Sequence, residues 1–236
     1  MADARMRLEA QWSQAQRAAF ARYFELLAEW NQRMNLTAVT EESEVYVKHF
    51  WDSLVVLDVP EFSEALTGAG NIADVGTGAG FPGLPLAICR PEARVVLMDA
   101  LQKRTKFLQA VVNELGLSNV EVVHGRAEDL ARARAWRQRF DVVVSRAVAR
   151  LNVLLELTAP LARPGGLVVA YKGPQVDEEL ADGRRAAGKL AAKVERVVRA
   201  ELPEGAGERA LVLVRVLGQV ASSYPRKAGT PQRRPL

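Results

Sequence analysis

Gly76, Gly78, Gly80 and Gly83 fall within eight positions of the stretch "DVGTGAGFPG", directly after the apolar lead-in "NIA". Glycine loses more backbone freedom on folding than any other residue, so four in one turn imply that something approaches the backbone closely. Residues 78–83, "GAGFPG", match G-x-G-x-x-G, and Asp99 follows 21 residues after Gly78, at the end of the next apolar run. An acid placed there accepts ribose hydroxyls, and the turn admits an adenosine. A dinucleotide and S-adenosylmethionine both satisfy this pattern. A P-loop does not, because no G-K-[ST] follows.

The flanks separate the two adenosine readings. Asp74 puts an acid just before the turn, favourable for a methionine ammonium and repulsive to a pyrophosphate. Pro82 and Pro85 sit in the first turns of the following helix, where a missing N–H is tolerated. The same prolines remove donors that a pyrophosphate would use. Downstream, "ARPGGLVVAYKG" places a Pro-Gly-Gly turn ahead of an apolar run, as methyltransferase domains often do. Together these features favour a methyl donor over a hydride carrier.

The elements that must position this turn follow from hydrophobic periodicity. Phe20, Tyr23, Phe24, Leu27, Trp30 and Met34 form an apolar stripe on one helix face, and "EVYVKHFWDSLVVL" predicts a second, shorter helix. From Ile72 onward apolar runs alternate with helical patterns: strands at "NIADVG", "ARVVLMDA", "VEVVHG", "FDVVVSRA" and "PGGLVVAYKG", with helices between them. Continuous apolar strands separated by helices indicate a mostly parallel sheet covered on both faces. "VERVVRAEL" and "ALVLVRVLG", joined by the short "PEGAGE", predict a final antiparallel pair. The expectation is an α/β, Rossmann-like class I methyltransferase with a mostly parallel seven-stranded sheet. Its divisions are an N-terminal helical extension packed on the core (1–68), the core (69–222) and a basic C-terminal tail (223–236).

Bulk properties bound the class. The 236 residues are 49% hydrophobic and 25% charged, ordinary for a protein that buries a sizeable core. With only Cys89 present, no disulfide forms within the chain, and the start carries no apolar stretch of signal-peptide type. No run approaches the roughly 20 apolar residues of a membrane helix. The expectation is a soluble cytoplasmic protein. The net charge of +4 equals the count of Arg226, Lys227, Arg233 and Arg234 in the acid-free tail, so the remainder is balanced. A basic end suits phosphate contact. One cysteine and two histidines, widely separated, make no metal site.

Beyond these generic signals stand "NQRMNLTAVT" at 31–40, "KHFWDSLVVL" at 48–57, "DVGTGAGFPGLPLAI" at 74–88 and "DALQKRTKFL" at 99–108. "GRAEDL" at 125–130, "SRAVARL" at 145–151, "YKG" at 171–173 and "YPRKAGTPQRRPL" at 224–236 continue the series. On these motifs the chain resembles the RsmG (GidB) family of bacterial methyltransferases of small-subunit ribosomal RNA. The resemblance implies methyl transfer from S-adenosylmethionine to N7 of a guanine in the decoding-region loop of that RNA, naked or in a 30S particle. It implies that Gly76, Gly78 and Phe81 line the methionine and adenosine, that Asp99, Ala100 and Leu101 hold the ribose, and that Ala127 and Glu128 meet the adenine. Arg146 stands at the catalytic end of the fourth strand, facing methionine carboxylate or RNA phosphate.

Guanine N7 carries an in-plane lone pair and no proton, so its methylation needs no general base, and orientation carries the catalysis. Cys89 accordingly reads as a small buried hydrophobe. His49 and Asp52, three apart on one helix face, are either a hydrogen-bonded structural pair or part of the pocket rim. RNA binding calls for phosphate contacts from Lys103, Arg104, Arg126, Lys172, Arg226 and Lys227, with Phe81 or Tyr171 available to stack on an extruded guanine. Two rival readings are a methyltransferase of another RNA or of protein, and a non-catalytic adenosine-binding RNA sensor. Nothing in the sequence requires more than a monomer.

Overall fold

The computed structural model describes residues 4–66 and 68–236. The chain enters through α1 (Ala4–Glu9) and α2 (Gln14–Met34). Ser13 starts α2 with a reciprocal capping box: its Oγ accepts from the Gln16 N–H at 3.2 Å, and Gln16 Oε1 accepts from the Ser13 N–H at 2.9 Å. Asn35 ends the helix in the left-handed region. Phe20, Tyr23, Leu26 and Leu27 are the buried positions of the predicted apolar face. Burying Phe20, Leu26 and Leu27 stabilises the packing by about 1.5–3 kcal/mol each.

Residues 42–58 form one helical stretch: α3 (Glu42–Val45), a π-helical turn over Tyr46–Trp51, α4 (Asp52–Leu54) and a 3₁₀ end over Val55–Asp58. The wider π turn carries His49 and hands directly to Asp52. Such turns recur where a helix must present side chains to a site. α5 (Pro60–Ala65) leads into the sheet domain.

There β1 (Asn71–Val75), α6 (Gly83–Cys89), β2 (Arg94–Asp99), α7 (Gln102–Leu115), β3 (Val120–His124), α8 (Ala127–Leu130), β4 (Phe140–Arg146), α9 (Leu151–Thr158) and β5 (Ala162–Lys172) alternate. α10 (Asp177–Lys189), β6 (Ala192–Glu201), β7 (Glu208–Val216) and a short α11 (Thr230–Arg233) complete the chain. The seven strands run in the order β3-β2-β1-β4-β5-β7-β6, the first five parallel and β7 antiparallel to both neighbours.

Two apolar layers sandwich the sheet. One face of the strands, including Ile72, Val95, Leu97, Val142 and Val144, packs with α6, α7 and the N-terminal helices in a single cluster. The residues before the sheet therefore share its core. Ala73, Val75, Val143 and Val168 face the opposite layer, built from α9 and α10 and joined by Tyr224 and Leu236 of the C-terminal segment. The strand order reverses between β1 and β4, so their carboxyl ends splay apart there and leave a crevice. Among the described residues no helix is long and apolar enough to cross a membrane, and no group of three or more His, Cys, Asp or Glu side chains could hold a metal ion.

Candidate active site

The glycine turn lies in the crevice between β1 and α6, and its four glycines do different jobs. Gly76 has φ +69°, donates its N–H to Met98 O at 2.8 Å, and lies so close to Val148 that a Cβ would sit 2.5 Å from Cγ2. Gly78 also has positive φ, but a Cβ there would make only an ordinary contact, 4.0 Å from Gly76 O; its N–H donates to Asp99 Oδ2 at 2.9 Å. Gly80 and Gly83 make room for the protein itself. A Cβ on Gly80 would strike Leu84 and the Tyr23 hydroxyl, and one on Gly83 would strike Leu97 and Asp74. The apolar close approach therefore belongs partly to the chain's own packing.

Asp74 has a different place from the one its charge suggested. It is fully buried, and its Oδ2 accepts from Thr77 Oγ1 at 2.6 Å and from the Gly83 N–H at 2.8 Å, tying the turn to the start of α6. Among the described residues its Oδ1 has no hydrogen-bond partner. Burial raises its pKa to about 6.

Asp99 ends β2 beside the turn. Its Oδ1 accepts from the Leu101 N–H at 2.8 Å, its Oδ2 from Gly78, and Arg104 Nη1 stands 3.4 Å from Oδ2. A carboxylate offers about four lone-pair directions and three are taken, so Oδ1 keeps one for a ribose hydroxyl and Oδ2 gains one if the long Arg104 contact yields. Next to it a cavity of ≈ 160 Å³ is lined by Gly76, Met98, Asp99, Ala100, Gly125, Arg126, Ala127, Glu128, Val148 and Leu157. An apolar slot with an accepting carboxylate at one end is the lining an adenosine requires, so the residues fit S-adenosylmethionine. Leu101 stands 45% exposed beside Ala100. Glu128 lines this slot while accepting from the Gly229 N–H at 2.9 Å, which ties the C-terminal segment to the wall.

A second cavity of ≈ 190 Å³ meets the first at Gly76 and runs past Thr77, Gly78, Phe81, Arg104 and His49 to Arg146. Arg146 ends β4 with only 14% of its side chain exposed. Its Nη1 donates to Asp52 Oδ2 at 2.7 Å and to Lys48 O at 3.2 Å, and the guanidinium lies 5.0 Å from the Phe81 ring centroid. Asp52, 1% exposed, takes a second guanidinium on Oδ1, from Arg209 Nε at 2.6 Å. The pair on the 42–58 helix is thus not His49 with Asp52; the acid bridges two arginines from the sheet.

His49 belongs to the pocket rim. Its ring stacks on Phe81 with centroids 4.5 Å apart; Nε2 lies 2.8 Å from Thr37 Oγ1 and Nδ1 lies 3.0 Å from Lys48 O. Asn31 fixes Thr37 there, accepting from the Leu36 and Thr37 N–H groups and donating to Thr37 O. Burial, reinforced by the Arg146 charge, lowers the His49 pKa to about 4. The unfolded chain therefore takes a proton here between about pH 6.5 and 4 that the folded chain refuses. This contribution to stability is complete above pH 6.5 and is lost as pH falls toward 4. Comparing urea melts at pH 5 and pH 7, the wild type is expected to gain about 2 kcal/mol more than a His49→Asn variant. Equal pH dependence in the two would remove the shift.

Phe81 is 4% exposed, stacked between Tyr23 and His49 under Arg146, so it forms a wall of the crevice. Tyr171 is buried and donates its hydroxyl to Ser53 O at 2.9 Å. Both aromatic faces are occupied by the protein. The cationic candidates scatter. Arg104 and Arg126 line the cofactor crevice, Lys103 is exposed and donates to Met34 O at 3.3 Å, and Lys227 is exposed. Lys172 lines a third cavity and donates to Ala149 O and Glu179 Oε2, each at 2.7 Å. Arg226 binds Glu156, a fully buried acid, through its backbone N–H, Nε and Nη2 at 2.6–2.8 Å, which is a folding contact.

That third cavity, ≈ 520 Å³, shares His49, Arg146 and Ala147 with the second and is lined also by Lys48, Asp52, Lys172, Glu179 and Arg209. Linked in series by the shared lining residues Gly76 and then His49, Arg146 and Ala147, the three cavities trace a path over the carboxyl ends of β2, β1, β4 and β5. Val148, Leu157, Arg209 and Glu179 are site residues that sequence reasoning missed. Val148 had a signal, since it stands in the "SRAVARL" motif; Arg209, 157 residues from its partner Asp52, had none.

Comparison with known proteins follows the same line. A family signature described as rRNA small subunit methyltransferase G matches residues 16–212. The ribosomal RNA small subunit methyltransferase G of Brevibacillus brevis is 47% identical over 221 residues, 94% of this chain and 91% of that protein. The protein of the same name from Carboxydothermus hydrogenoformans is 48% identical over 217 residues, 92% of this chain and 90% of its own. In fold, a SAM-dependent methyltransferase from Aquifex aeolicus superposes with a TM-score of 0.51 at 21% identity, covering 74% of this chain and 93% of that one. The chain belongs to the rRNA small subunit methyltransferase G family, a family of S-adenosylmethionine-dependent enzymes.

Proposed function

We propose that the protein transfers the methyl group of S-adenosylmethionine to N7 of a guanine in the decoding-region loop of small-subunit ribosomal RNA. The observation that carries this reading is the succession of cavities, linked by shared lining residues, from the Asp99 slot past Arg146 to a cavity walled by Lys48, Lys172 and Arg209. One end suits an adenosine and the other a nucleotide with its phosphates. When bound, the cofactor supplies an electrophilic methyl group on a sulfonium.

The protein's own residues then have limited work. Asp99 receives the ribose hydroxyls, Ala127 and Leu157 flank the adenine, and the Gly76–Gly78 backbone borders the methionine. His49 is neutral at physiological pH and engaged at both nitrogens, so it holds the wall formed by Phe81. No base is demanded, because the N7 lone pair is free. Arg146, fixed by Asp52 and Phe81, stands where the two halves of the path meet and orients the reacting groups.

Incubation with labelled cofactor and either naked small-subunit RNA or 30S particles from an unmethylated source, followed by cleavage at N7-methylguanine, tests the reading. Label at one guanine is expected; label elsewhere, or cofactor binding without transfer, overturns it. Within this reading, Asp99→Ala should weaken S-adenosylmethionine binding by roughly 10–100-fold, the worth of hydrogen bonds to a charged group. Unchanged affinity by calorimetry would take Asp99 out of the cofactor site.

A further inference from the structure

The third cavity contains two carboxylates, and they differ in what they have left to offer. Asp52 spends one oxygen on Arg146 and the other on Arg209. Glu179, near the start of α10, accepts on Oε2 alone: from the Leu151 N–H, at the start of α9, and from Lys172 Nζ at 2.7 Å. Among the described residues its Oε1 has no hydrogen-bond partner. Glu179 is also partly buried, with 23% of its side chain exposed, and Lys172 beside it only 11%. The carboxylate is therefore held in place by one oxygen while the other remains an acceptor at the wall of the cavity.

The chemistry of the acceptor base gives that free oxygen a use. Adenine and guanine both carry an N7 lone pair, so methyl transfer at N7 cannot tell them apart. They differ on the opposite edge, where guanine presents N1–H and the N2 amino group as adjacent donors and adenine presents none of this pattern. Flipped bases are read by hydrogen bonds to that edge. A carboxylate is its natural complement, accepting from donors and repelling acceptor nitrogens. A neighbouring lysine suits the O6 carbonyl.

Resting on the guanine-N7 reading above, we propose that Glu179 is the specificity-determining residue, accepting through Oε1 from the N1–H and N2 amino group of the target guanine. The Leu151 and Lys172 contacts position it. Inosine keeps N7, O6 and N1–H but lacks the N2 amino group, so it removes one partner and nothing else.

The test uses the full chain with reconstituted small subunits carrying guanosine or inosine at the methylated position. It compares kcat/KM for wild type and Glu179→Gln. The glutamine keeps a carbonyl oxygen for Leu151 and Lys172 and turns its amide N–H groups toward the guanine donors. For the wild type, guanosine is expected to exceed inosine by about tenfold or more, the worth of a hydrogen bond to a charged group. For the variant this ratio should fall to near one. A ratio near one for the wild type overturns the proposal, as does a variant that slows both substrates alike while keeping the wild-type ratio. The second outcome assigns Glu179 to anchoring α9 alone. Failure of the wild type to methylate N7 of the guanosine substrate overturns the acceptor reading itself, a result distinct from either.

Discussion

An Asp52→Ala variant is expected to lose about 3–5 kcal/mol of stability, together with most of its methyl transfer, because it removes the shared partner of two largely buried guanidinium groups. Asp52 is 1% exposed and receives Arg146 at 2.7 Å and Arg209 at 2.6 Å, from side chains only 14% and 25% exposed. Without the carboxylate the two cations face one another across a small hollow, each short of a charged hydrogen bond. Arg146 is then left over Phe81 with only the longer Lys48 O and His49 contacts, a weaker hold at the point where the two halves of the path meet. Asp52→Asn separates charge from shape. It fills the same volume but offers one acceptor oxygen and one donating NH2 group, so it satisfies one arginine and repels the other, and its stability should fall between the wild type and Asp52→Ala. Urea melts measure the first effect. For the second, kcat should fall more than cofactor affinity, since the Asp99 slot lies on the other side of Gly76. Wild-type melting and turnover in Asp52→Ala would sink the claim.

How far such a site can be read in advance depends on whether its contacts are local. The parallel strands are legible because burial makes most of them nearly continuous apolar runs, while β3, half-buried at the sheet edge and carrying Glu121, is marked by its valines. The β6–β7 pair is legible because six residues cannot cross a sheet. Asp99 and Arg146 stood out as polar residues ending apolar strands, the place where an open α/β sheet keeps its chemistry. The helix after β4 is shorter than its apolar pattern: Pro160 ends it, and α9 stops at Thr158. The glycine turn was half legible. Positive φ at Gly76 and Gly78 belongs to the crevice, but Gly80 and Gly83 answer to Tyr23, Leu84, Leu97 and Asp74, three of them distant in sequence or beyond the turn.

Charge is where sequence reading and structure part most. A basic residue in a polar segment reads as a surface cation until its partner is found, and the partners here lie 94 residues away for Arg146 and 70 for Arg226. One local signal was available. Glu156 is the one charged residue in the buried "LNVLLELT" of α9, and an acid in the middle of a buried helix must have a cation brought to it.

That acid decides the behaviour of the C-terminal segment. Arg226→Ala leaves the Glu156 carboxylate, 0% exposed, without its guanidinium and is expected to destabilise the protein by about 3–5 kcal/mol, while Lys227→Ala, an exposed neighbour, should change stability by less than about 0.5 kcal/mol. The loss should not stop at the pair. Arg132 and Arg137 donate to carbonyls of Val220, Ala221, Tyr224 and Pro225, and Gly229 donates to Glu128 on the wall of the adenosine slot. Releasing Arg226 loosens a strap fastened at both ends, so cofactor affinity should weaken along with melting temperature. A double-mutant cycle separates this from a direct RNA contact. Pairing Arg226→Met with Glu156→Leu removes both charges at similar volume and should recover much of the stability, since a buried ion pair is worth little against apolar packing. If Arg226 instead contacts phosphate, Arg226→Ala leaves melting untouched and lowers the salt slope of RNA binding by about one, and the apolar pair rescues nothing. The geometry favours the first outcome: the backbone N–H, Nε and Nη2 of Arg226 all donate to a carboxylate that water does not reach, so the side chain is held by the fold through three of its donor groups.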